Sequence, residues 1–249
     1  MKVTIITCVF NGVNFIEACI ASVLAQNYQC IEYIVIDGGS TDGTLAVIYN
    51  YLDRIDRFEI GSDCGFYDAL NKGIALASGE IVGVLNSDDL FADDEVVSAI
   101  VNCFRRNSCD AVYGNLNLVS RTEVGRILRC WNSKEATRED IESGWMPAHP
   151  ALFLKRALFQ SFGNYVLTLG CSADYELVLR FFYVRKIKSF FLNRLLVVMR
   201  SGGMSSRSVS IRCLTLWTDY HALKRNKIPF PLKALFVKKV GKLKQLRLW

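Results

Sequence analysis

The chain has 249 residues, of which 51% are hydrophobic and 22% are charged, and its formal net charge is +6. This composition excludes intrinsic disorder as the main state, and the length fits one large domain or one domain with an appendage. The charge is uneven, because residues 1–179 hold 13 bases and 23 acids, whereas residues 180–249 hold 17 bases and the single acid Asp219. We expect the two parts to contact different partners.

The cysteines and histidines limit the kinds of site that are possible. The nine cysteines include no Cys-x-x-Cys pair, and we expect reduced thiols in a cytoplasmic protein. With only His149 and His221, a histidine-rich zinc site is excluded, so a bound metal would be held mainly by oxygen. The apolar run after Met1 is too short for a signal peptide, and no stretch predicts a transmembrane helix.

The first hundred residues alternate strand and helix patterns. Apolar, β-branched runs predict strands at 3–10, 31–36, 58–60 and 81–85, and apolar residues at helical spacing predict helices at 15–24, 45–52, 67–77 and 95–104. This alternation is typical of the α/β class, with a Rossmann-like, mostly parallel sheet flanked by helices.

Polar residues follow each predicted strand at its carboxyl end. They are Asn11, Asp37, Asp63 and the run Asn86-Ser87-Asp88-Asp89. Each cluster alone is what an ordinary turn contains, but the carboxyl ends of parallel strands gather at one edge of the sheet, where ligands bind. Asp88 is a candidate ligand for Mg²⁺ or Mn²⁺ at this edge, whereas Asp93 and Asp94 fit the N-terminal cap of the next helix.

Beyond residue 110 the pattern is less regular. It predicts strands at 110–113, 126–130 and 190–199, helices at 155–162 and 172–182, and an aromatic loop at 144–150. A soft boundary near residue 220 separates a domain at 1–219 from a basic extension at 220–249, in which acidic residues are absent.

Four motifs, in order along the chain, resemble the family 2 glycosyltransferases of GT-A fold. They are the opening strand with Asn11, the run Ile34 to Thr44 around Asp37, the segment Asp63 to Gly73, and Leu85 to Asp89 at the position of the family's DxD motif. Asn86 replaces the first Asp of that motif, and Gly38 replaces a second acid often found after Asp37. The resemblance is firm over 1–120 and thinner to about 205. It implies a nucleotide-sugar half at 1–120 and an acceptor half at 121–219.

The resemblance implies a nucleotide-sugar donor and a divalent cation, Mn²⁺ or Mg²⁺. It assigns the metal to Asp88 and the donor to Thr7, Cys8, Asn11, Asp37, Asp68, Asn71, Lys72, Asn86 and Ser87. The cation would neutralise charge on the departing diphosphate. For Asp68 and Lys72, an ion pair between residues four apart on a helix is the alternative, and Tyr67 is interpreted as a packing residue.

Inverting transfer needs a base for the proton of the acceptor hydroxyl, and a carboxylate is the usual base. Asp174 resembles the family's catalytic Asp in position, with the capping of a helix by Ser172 and Asp174 as the alternative role. Glu176 lies two residues on, about 200° around a helix, so we do not expect it on the same face.

Three further residues are possible contacts for the acceptor or a phosphate. His149 lies in the aromatic loop, Arg180 lies on the predicted helix of Asp174, and Arg200 opens a segment to Ser205 that resembles the family's glycine-containing mobile segment. Structural roles are the alternatives for all three.

The basic extension predicts an amphipathic helix. Apolar residues at 232, 235, 236, 243 and 246 fall on one helical face, with most of the lysines elsewhere. Such a helix suits an anionic membrane surface. Packing on the domain with solvated bases is an alternative, and nucleic-acid binding is disfavoured because no recognised nucleic-acid module accompanies the charge.

The resemblance implies inverting, metal-dependent transfer of one sugar, with UDP as the expected nucleotide. The acceptor would be a polyprenyl-diphosphate-linked glycan of O-antigen, capsule or exopolysaccharide assembly, which places the protein peripherally on the inner face of the cytoplasmic membrane. Processive members carry a QxxRW signature, which this sequence lacks. The alternative is a non-catalytic nucleotide- or membrane-binding module of the same fold.

Overall fold

A computed structural model describes residues 1–202 and 209–244 of the chain. The strands are β1 (Val3–Val9), β2 (Ile31–Asp37), β3 (Arg57–Ile60), β4 (Ile81–Val84), β5 (Leu90–Phe91), β6 (Ala111–Val119), β7 (Ile127–Trp131), β8 (Leu152–Lys155) and β9 (Ser189–Arg200). The helices are α1 (Ile16–Leu24), α2 (Thr44–Tyr49), α3 (Phe66–Leu76), α4 (Val96–Arg106), α5 (Arg138–Glu142), α6 (Arg156–Phe162), α7 (Ala173–Val178), α8 (Val209–Arg225) and α9 (Pro231–Lys244). A π-helical turn at Leu179–Val184 continues α7, and short 3-10 turns lie at Leu52–Arg54, His149–Ala151 and Leu167–Ser172.

Within the described residues, the strands form one nine-stranded sheet in the order β3-β2-β1-β4-β8-β6-β9-β5, with β7 paired to β6. The predicted α/β class is confirmed, and the strands of the first 85 residues are parallel. The whole sheet is mixed rather than mostly parallel, because β8 runs antiparallel to β4 and β6, and β5 to β9. β7 is also antiparallel to β6, since a short hairpin connection can join only antiparallel strands.

The core occupies both faces of the sheet. Ile6 and Cys8 of β1 pack on one face with residues of α3, α6, α7 and α8, whereas Val3, Ile5 and Val9 pack on the other with α1 and α4. A strand that is buried on both faces reads as a continuous apolar run, which is why β1 and β2 were recognisable from sequence.

The predicted caps of α4 are wrong. Asp93 Oδ1 accepts a hydrogen bond from the N–H of Glu95 at 2.9 Å and pairs with Arg194, and neither contact lies inside the helix. Gln26, from the end of α1, supplies the cap: its Oε1 accepts a bond from the N–H of Val97 at 3.0 Å. The cap therefore comes from a distant residue that a local sequence pattern does not identify.

The predicted boundary near residue 220 lies inside α8 (Val209–Arg225). Asp219, Ala222 and Leu223 of this helix are buried. Ala234 of α9 is 1% exposed, and its carbonyl lies against Gly144, where an added Cβ would come within 2.2 Å of it. The basic helix thus packs on the domain, as one alternative predicted.

Of the helices in the described ranges, none is both long and apolar enough to cross a membrane. The predicted mobile segment beyond Gly202, and residues 245–249 of the basic extension, lie outside the described residues.

Candidate active site

The loops after β1 and β2 are joined by hydrogen bonds at the carboxyl edge of the sheet. Asn11 has a left-handed backbone, with φ of 52°, and its Oδ1 accepts a bond from the N–H of Thr41 at 2.9 Å. The N–H of Asn11 donates to Ser40 Oγ at 2.8 Å, and that of Gly12 donates to Thr44 Oγ1 at 2.9 Å. Two of the predicted polar clusters therefore meet, with Asn11 fixing the loops.

Asp37 is fully buried at the end of β2, and one of its carboxylate oxygens has no partner. Its Oδ1 accepts bonds from the N–H groups of Gly39 at 2.9 Å and Ser40 at 2.7 Å. Its Oδ2 is buried without a hydrogen bond to any described residue. An unpaired buried carboxylate oxygen is energetically costly, so Oδ2 marks a position where a ligand N–H or O–H group can donate.

Asp63, three residues beyond β3, lies in the candidate site although the predicted donor set omitted it. Its side chain is 7% exposed and pairs with Lys72, whose pKa is raised by this hydrogen bond. Lys72 also pairs with Asp68 at 3.5 Å, so the predicted alternative of an ion pair is present. An added Cβ on Gly38 would lie 3.4 Å from Asp63 Oδ2, so Asp63 adjoins the Asp37 loop. Its place after a strand was the available signal.

Three predicted donor residues turn their side chains into the interior. Thr7 is fully buried and accepts a hydrogen bond from the Tyr33 hydroxyl at 3.2 Å. Cys8 is 5% exposed, and burial raises the pKa of its thiol. The Asn71 amide bonds the backbone N–H and carbonyl of Tyr165, each at 3.0 Å. The side chains of Thr7 and Asn71 thus have hydrogen-bond partners within the chain, and the assignment of these residues to the donor stays a prediction.

The neighbours Asp88 and Asp89 have different environments. Asp89 is fully buried and accepts hydrogen bonds from Asn86 Nδ2 at 2.7 Å and from the N–H of Arg200 at 3.1 Å. Burial, reinforced by the charge of Asp88, raises the pKa of Asp89 to about 8. The Asp88 side chain is 26% exposed and pairs with Arg121, whose Nη1 lies 3.3 Å from Oδ2. Asp88 is thus the accessible acid, and Asn86 supports Asp89.

Two arginines and one aromatic ring frame Asp88. Arg200 Nη1 donates to the carbonyl of Asp88 at 2.7 Å, and Arg121 Nη1 also donates to the carbonyl of Ser201 at 3.1 Å. The guanidinium groups of Arg121 and Arg200 lie 4.3 and 5.3 Å from the ring centre of Phe15. No sequence motif marks Arg121, which follows β6 in a hairpin loop. Ser87 lies against the loop after β1, since a Cβ added to Gly12 would be 3.6 Å from Ser87 Oγ.

The oxygen ligands that the chain offers at Asp88 suit a cation that takes its other ligands from the substrate. Among residues 1–202 and 209–244, no group of three or more His, Cys, Asp or Glu side chains could hold a metal ion. Mg²⁺ and Mn²⁺ accept one or two protein carboxylates when phosphate oxygens complete the shell. The accessible carboxylate of Asp88 therefore fits such a cation.

Asp174 is the half-exposed residue of the otherwise buried helix α7. Its Oδ1 accepts a hydrogen bond from the N–H of Tyr175 at 2.7 Å. The predicted alternative of a cap through Ser172 is not observed, since the Ser172 hydroxyl bonds Thr218 Oγ1 at 2.7 Å. Glu176 is fully buried, away from Asp174, as the helical angle predicted.

His149, Tyr165 and Tyr67 lie around Asp174. His149 Nε2 and the Tyr165 hydroxyl are 2.6 Å apart, and the rings of Tyr67 and Tyr165 pack at 5.2 Å. Burial lowers the pKa of His149, an effect that the charge of Asp174 opposes. Burial and the charge of Asp174 raise the pKa of both tyrosines. These groups are therefore neutral at pH 7.

Arg180 has the contacts of a structural residue. Its Nε and Nη2 donate to Glu176, at 3.1 and 3.0 Å. Its remaining donors bind the carbonyls of Phe162, Gly163 and Asn164. The guanidinium is committed to these partners, as the structural alternative predicted, and a contact of Arg180 with the acceptor or a phosphate stays a prediction.

The sequence matches one family profile and is similar to those of several individual proteins. The profile of the family described as "Glycosyl transferase family 2" matches residues 4–162. An uncharacterized glycosyltransferase of Mycobacterium tuberculosis is 31% identical over 179 residues, which cover 72% of this chain and 68% of that protein. A PGL/p-HBAD biosynthesis glycosyltransferase of Mycobacterium bovis is 29% identical over 186 residues, covering 72% of this chain and 69% of that protein.

Solved structures show the same fold at lower identity. TarS 1-349 of S. aureus in complex with UDP-GlcNAc has a TM-score of 0.73 at 16% identity, covering 99% of this chain and 74% of that chain. The mannosyltransferase PcManGT from Pyrobaculum calidifontis, in complex with GDP-Man and Mn2+, has a TM-score of 0.67 at 18% identity, covering 95% and 68%. The likeness confirms the predicted GT-A fold.

Proposed function

The chain belongs to glycosyl transferase family 2 and is a glycosyltransferase, and from this premise we propose that it transfers one sugar, with inversion, from a UDP-sugar to a polyprenyl-diphosphate-linked glycan at the cytoplasmic face of the membrane. The main support for a donor site at the carboxyl edge of the sheet is the buried Asp37 carboxylate, whose Oδ2 has no partner in the described residues. Family membership favours this enzyme over the non-catalytic module.

The nucleotide is bound in this proposal at the joined loops after β1 and β2. Asp37 Oδ2 accepts a hydrogen bond from the nucleoside, while Oδ1 stays held by Gly39 and Ser40. Asp63 adjoins this loop, and its ion pair with Lys72 fixes its orientation. One structural neighbour is in complex with GDP-Man, so the test includes GDP beside UDP.

Asp88 is the residue that would hold a divalent cation. When bound, such a cation supplies Lewis-acid neutralisation of the leaving diphosphate. The chain's own residues prepare the site: Asn86 and the N–H of Arg200 hold the buried Asp89, and Arg200 Nη1 holds the Asp88 carbonyl. The carboxylate of Asp88 is thereby left partly exposed, at 26%.

Asp174 is the general base in this proposal. It is the accessible member of a buried helix, and its neighbours Tyr67, Tyr165 and His149 are neutral at pH 7 because burial shifts their pKa values toward the uncharged forms. His149 Nε2 is occupied by the Tyr165 hydroxyl, which leaves the Asp174 carboxylate to accept the proton of the acceptor hydroxyl.

Calorimetric titration with UDP, GDP and TDP tests the donor site. We expect wild type to bind one of these nucleotides with Mn²⁺ present, and we expect Asp88→Ala to lose the dependence on Mn²⁺. Asp53→Asn, an exposed carboxylate before β3 at the opposite edge of the sheet, is the matched control. Absence of nucleotide binding by folded wild type would contradict the proposal.

Asp174→Asn separates catalysis from donor binding. We expect it to bind the nucleotide like wild type, while turnover falls about 10²- to 10⁴-fold, the usual range for losing a general base. Normal turnover by this variant would remove Asp174 from the mechanism. Nucleotide binding by wild type without transfer to any lipid-linked glycan would contradict the acceptor.

A further inference from the structure

The helices α8 and α9 are fixed to the domain by their inner faces. The Lys238 ammonium lies 2.8 Å from Asp219 Oδ2, and both side chains are buried, at 8% and 3% exposure. The same ammonium lies 3.3 Å from the ring centre of Tyr175, the neighbour of Asp174. Because this pair ties α9 to α8 and to α7, the outer faces of the two helices point away from the domain.

The outer faces carry large apolar side chains that nothing in the described residues covers. On α9 and the turn before it, Phe230, Leu232 and Phe236 are 65%, 72% and 70% exposed. On α8, Leu214 and Trp217 are each 59% exposed. With Leu216 and Val237, these make half of the exposed large hydrophobic residues in residues 1–202 and 209–244. Large apolar side chains exposed in this number on two helices that contact each other indicate an interaction surface.

The charge of this surface is of one sign. Residues 209–244 contain nine bases and the single acid Asp219, and Asp219 is buried against Lys238. Lys224, Lys227, Lys233 and Lys239 are exposed among the apolar residues. Within this stretch, no described acidic side chain is exposed to offset them.

We propose that the outer faces of α8 and α9 dock on a lipid bilayer that contains anionic headgroups. The exposed Phe230, Leu232, Phe236 and Trp217 enter the interface, and the lysines contact the headgroups. Exposed apolar side chains at this density favour a bilayer over a nucleic acid, whose phosphates attract bases but give leucine and phenylalanine no apolar phase. The inference rests on the proposed function only for its purpose, which is access to a lipid-linked acceptor.

Sedimentation with large unilamellar vesicles tests the surface directly and needs neither donor nor acceptor. The full chain is mixed with vesicles of phosphatidylcholine alone or with about one third phosphatidylglycerol. We expect binding to the anionic vesicles that weakens in high salt, because headgroup attraction is screened. Equal binding to neutral vesicles, or none to either, would overturn the proposal.

Paired variants localise the contact. We expect Leu232→Ser/Phe236→Ser to weaken vesicle binding about tenfold or more, and Lys233→Gln/Lys239→Gln to weaken it about fivefold for each base. The matched control is Leu52→Ser/Val184→Ser, which removes exposed apolar side chains of 41% and 45% exposure elsewhere. If all variants bind like wild type, the surface is not the membrane contact.

Two further readouts distinguish the other occupants. Quenching of the chain's tryptophan fluorescence by brominated lipid is expected in wild type and is expected to be smaller in Trp217→Phe, which keeps the other three tryptophans. Binding of a 20-nucleotide RNA without vesicle binding would overturn the proposal, as would concentration-dependent self-association that masks the patch. UDP titration of the same samples reports the donor site. Vesicle failure with UDP binding intact therefore refutes this surface alone, and the opposite result refutes the donor site alone.

Discussion

Arg121 donates from Nη1 to the carboxylate of Asp88 at 3.3 Å, so the accessible acid of the candidate metal site is already paired with a cation of the chain. The two side chains are 39% and 26% exposed, and partly exposed pairs of this kind contribute at most about 1 kcal/mol. The guanidinium therefore pairs with Asp88, but the pair is weak enough for a divalent cation to displace it.

Arg121→Gln is expected to increase the affinity of the nucleotide-free protein for Mn²⁺ about two- to fivefold, the factor that corresponds to losing such a pair. The reason is that a cation at Asp88 competes with the guanidinium. Titration of free Mn²⁺ by electron paramagnetic resonance measures this affinity. Arg126→Gln, an exposed arginine of the same hairpin, is the control. Unchanged or weaker Mn²⁺ binding by Arg121→Gln would show that Arg121 does not compete.

We expect the free energy of unfolding to fall as the pH drops below 6.5, the ordinary pKa of a histidine. The reason is that burial lowers the pKa of His149 in the folded state. The depressed pKa in the folded state means that the unfolded state binds the proton first. The contribution of His149 is complete above pH 6.5 and is lost as the pH falls through its folded pKa. Urea midpoints between pH 5 and 8, for wild type and His149→Gln, measure it.

An NMR titration supplies the independent check on His149. The chain has two histidines, so comparison with His149→Gln assigns the resonance directly. Tyr165→Phe should also lower the free energy of unfolding, because it removes the 2.6 Å partner of His149 Nε2 and leaves a partly buried nitrogen unpaired, at about 1 kcal/mol. A His149 resonance that titrates at or above 6.5 would contradict the assigned burial effect.

Glu32 gives a second pH dependence, at the opposite edge of the sheet. Burial alone would raise its pKa, but hydrogen bonds from Ser78, Thr4 and Lys2 outweigh burial and lower the pKa to about 2. The folded-state pKa is below the ordinary 4.5, so Glu32 stabilises the fold fully above pH 4.5 and loses this effect as the pH falls toward 2. The contribution of Glu32 to the free energy of unfolding is about 3 kcal/mol.

Comparison of Glu32→Gln with Glu59→Gln, an exposed acid on β3, isolates this contribution. Urea midpoints are measured from pH 2 to 6. We expect Glu32→Gln to be less stable than wild type near pH 6 and to approach it near pH 2, while Glu59→Gln follows wild type throughout. A difference between wild type and Glu32→Gln that does not change with pH would mean that the loss is one of packing, not of charge.

The parts of the fold that were predictable from sequence are those that depend on neighbouring residues. Strand β1, with consecutive apolar residues, and the polar loop after β2, around Asp37, follow from periodicity and turn composition. Their meeting at one edge follows from parallel pairing, and the hydrogen bond between Asn11 and Thr41 confirms it. The position of Asp174 came from resemblance, and its function remains a prediction.

The parts that were missed depend on residues far apart in the chain. The pairing of Asp88 with Arg121, the cap of α4 from Gln26, and the bond between His149 and Tyr165 each need tertiary structure. The boundary near residue 220 was predicted from the change in charge there, whereas α8 continues through this position. Charge composition reports the solvent-facing side of a helix and says nothing of its buried side.

Lys238 decides whether the C-terminal helices are part of the domain. Lys238→Met leaves the Asp219 carboxylate buried without its cation, and its Oδ1 already has no hydrogen-bond partner. Breaking a buried pair in this way destabilises the fold by about 3–5 kcal/mol, whereas Lys238→Met/Asp219→Asn, which removes both charges, should recover most of the loss.

Lys239→Met, on the exposed side of α9, is the control and should leave the urea midpoint unchanged while weakening vesicle binding. Because Lys238 also contacts Tyr175 beside Asp174, its loss would disturb the base helix as well as α9. If Lys238→Met unfolds like Lys239→Met, α9 is an appendage, and the packing that exposes Phe236 and Leu232 does not persist in solution.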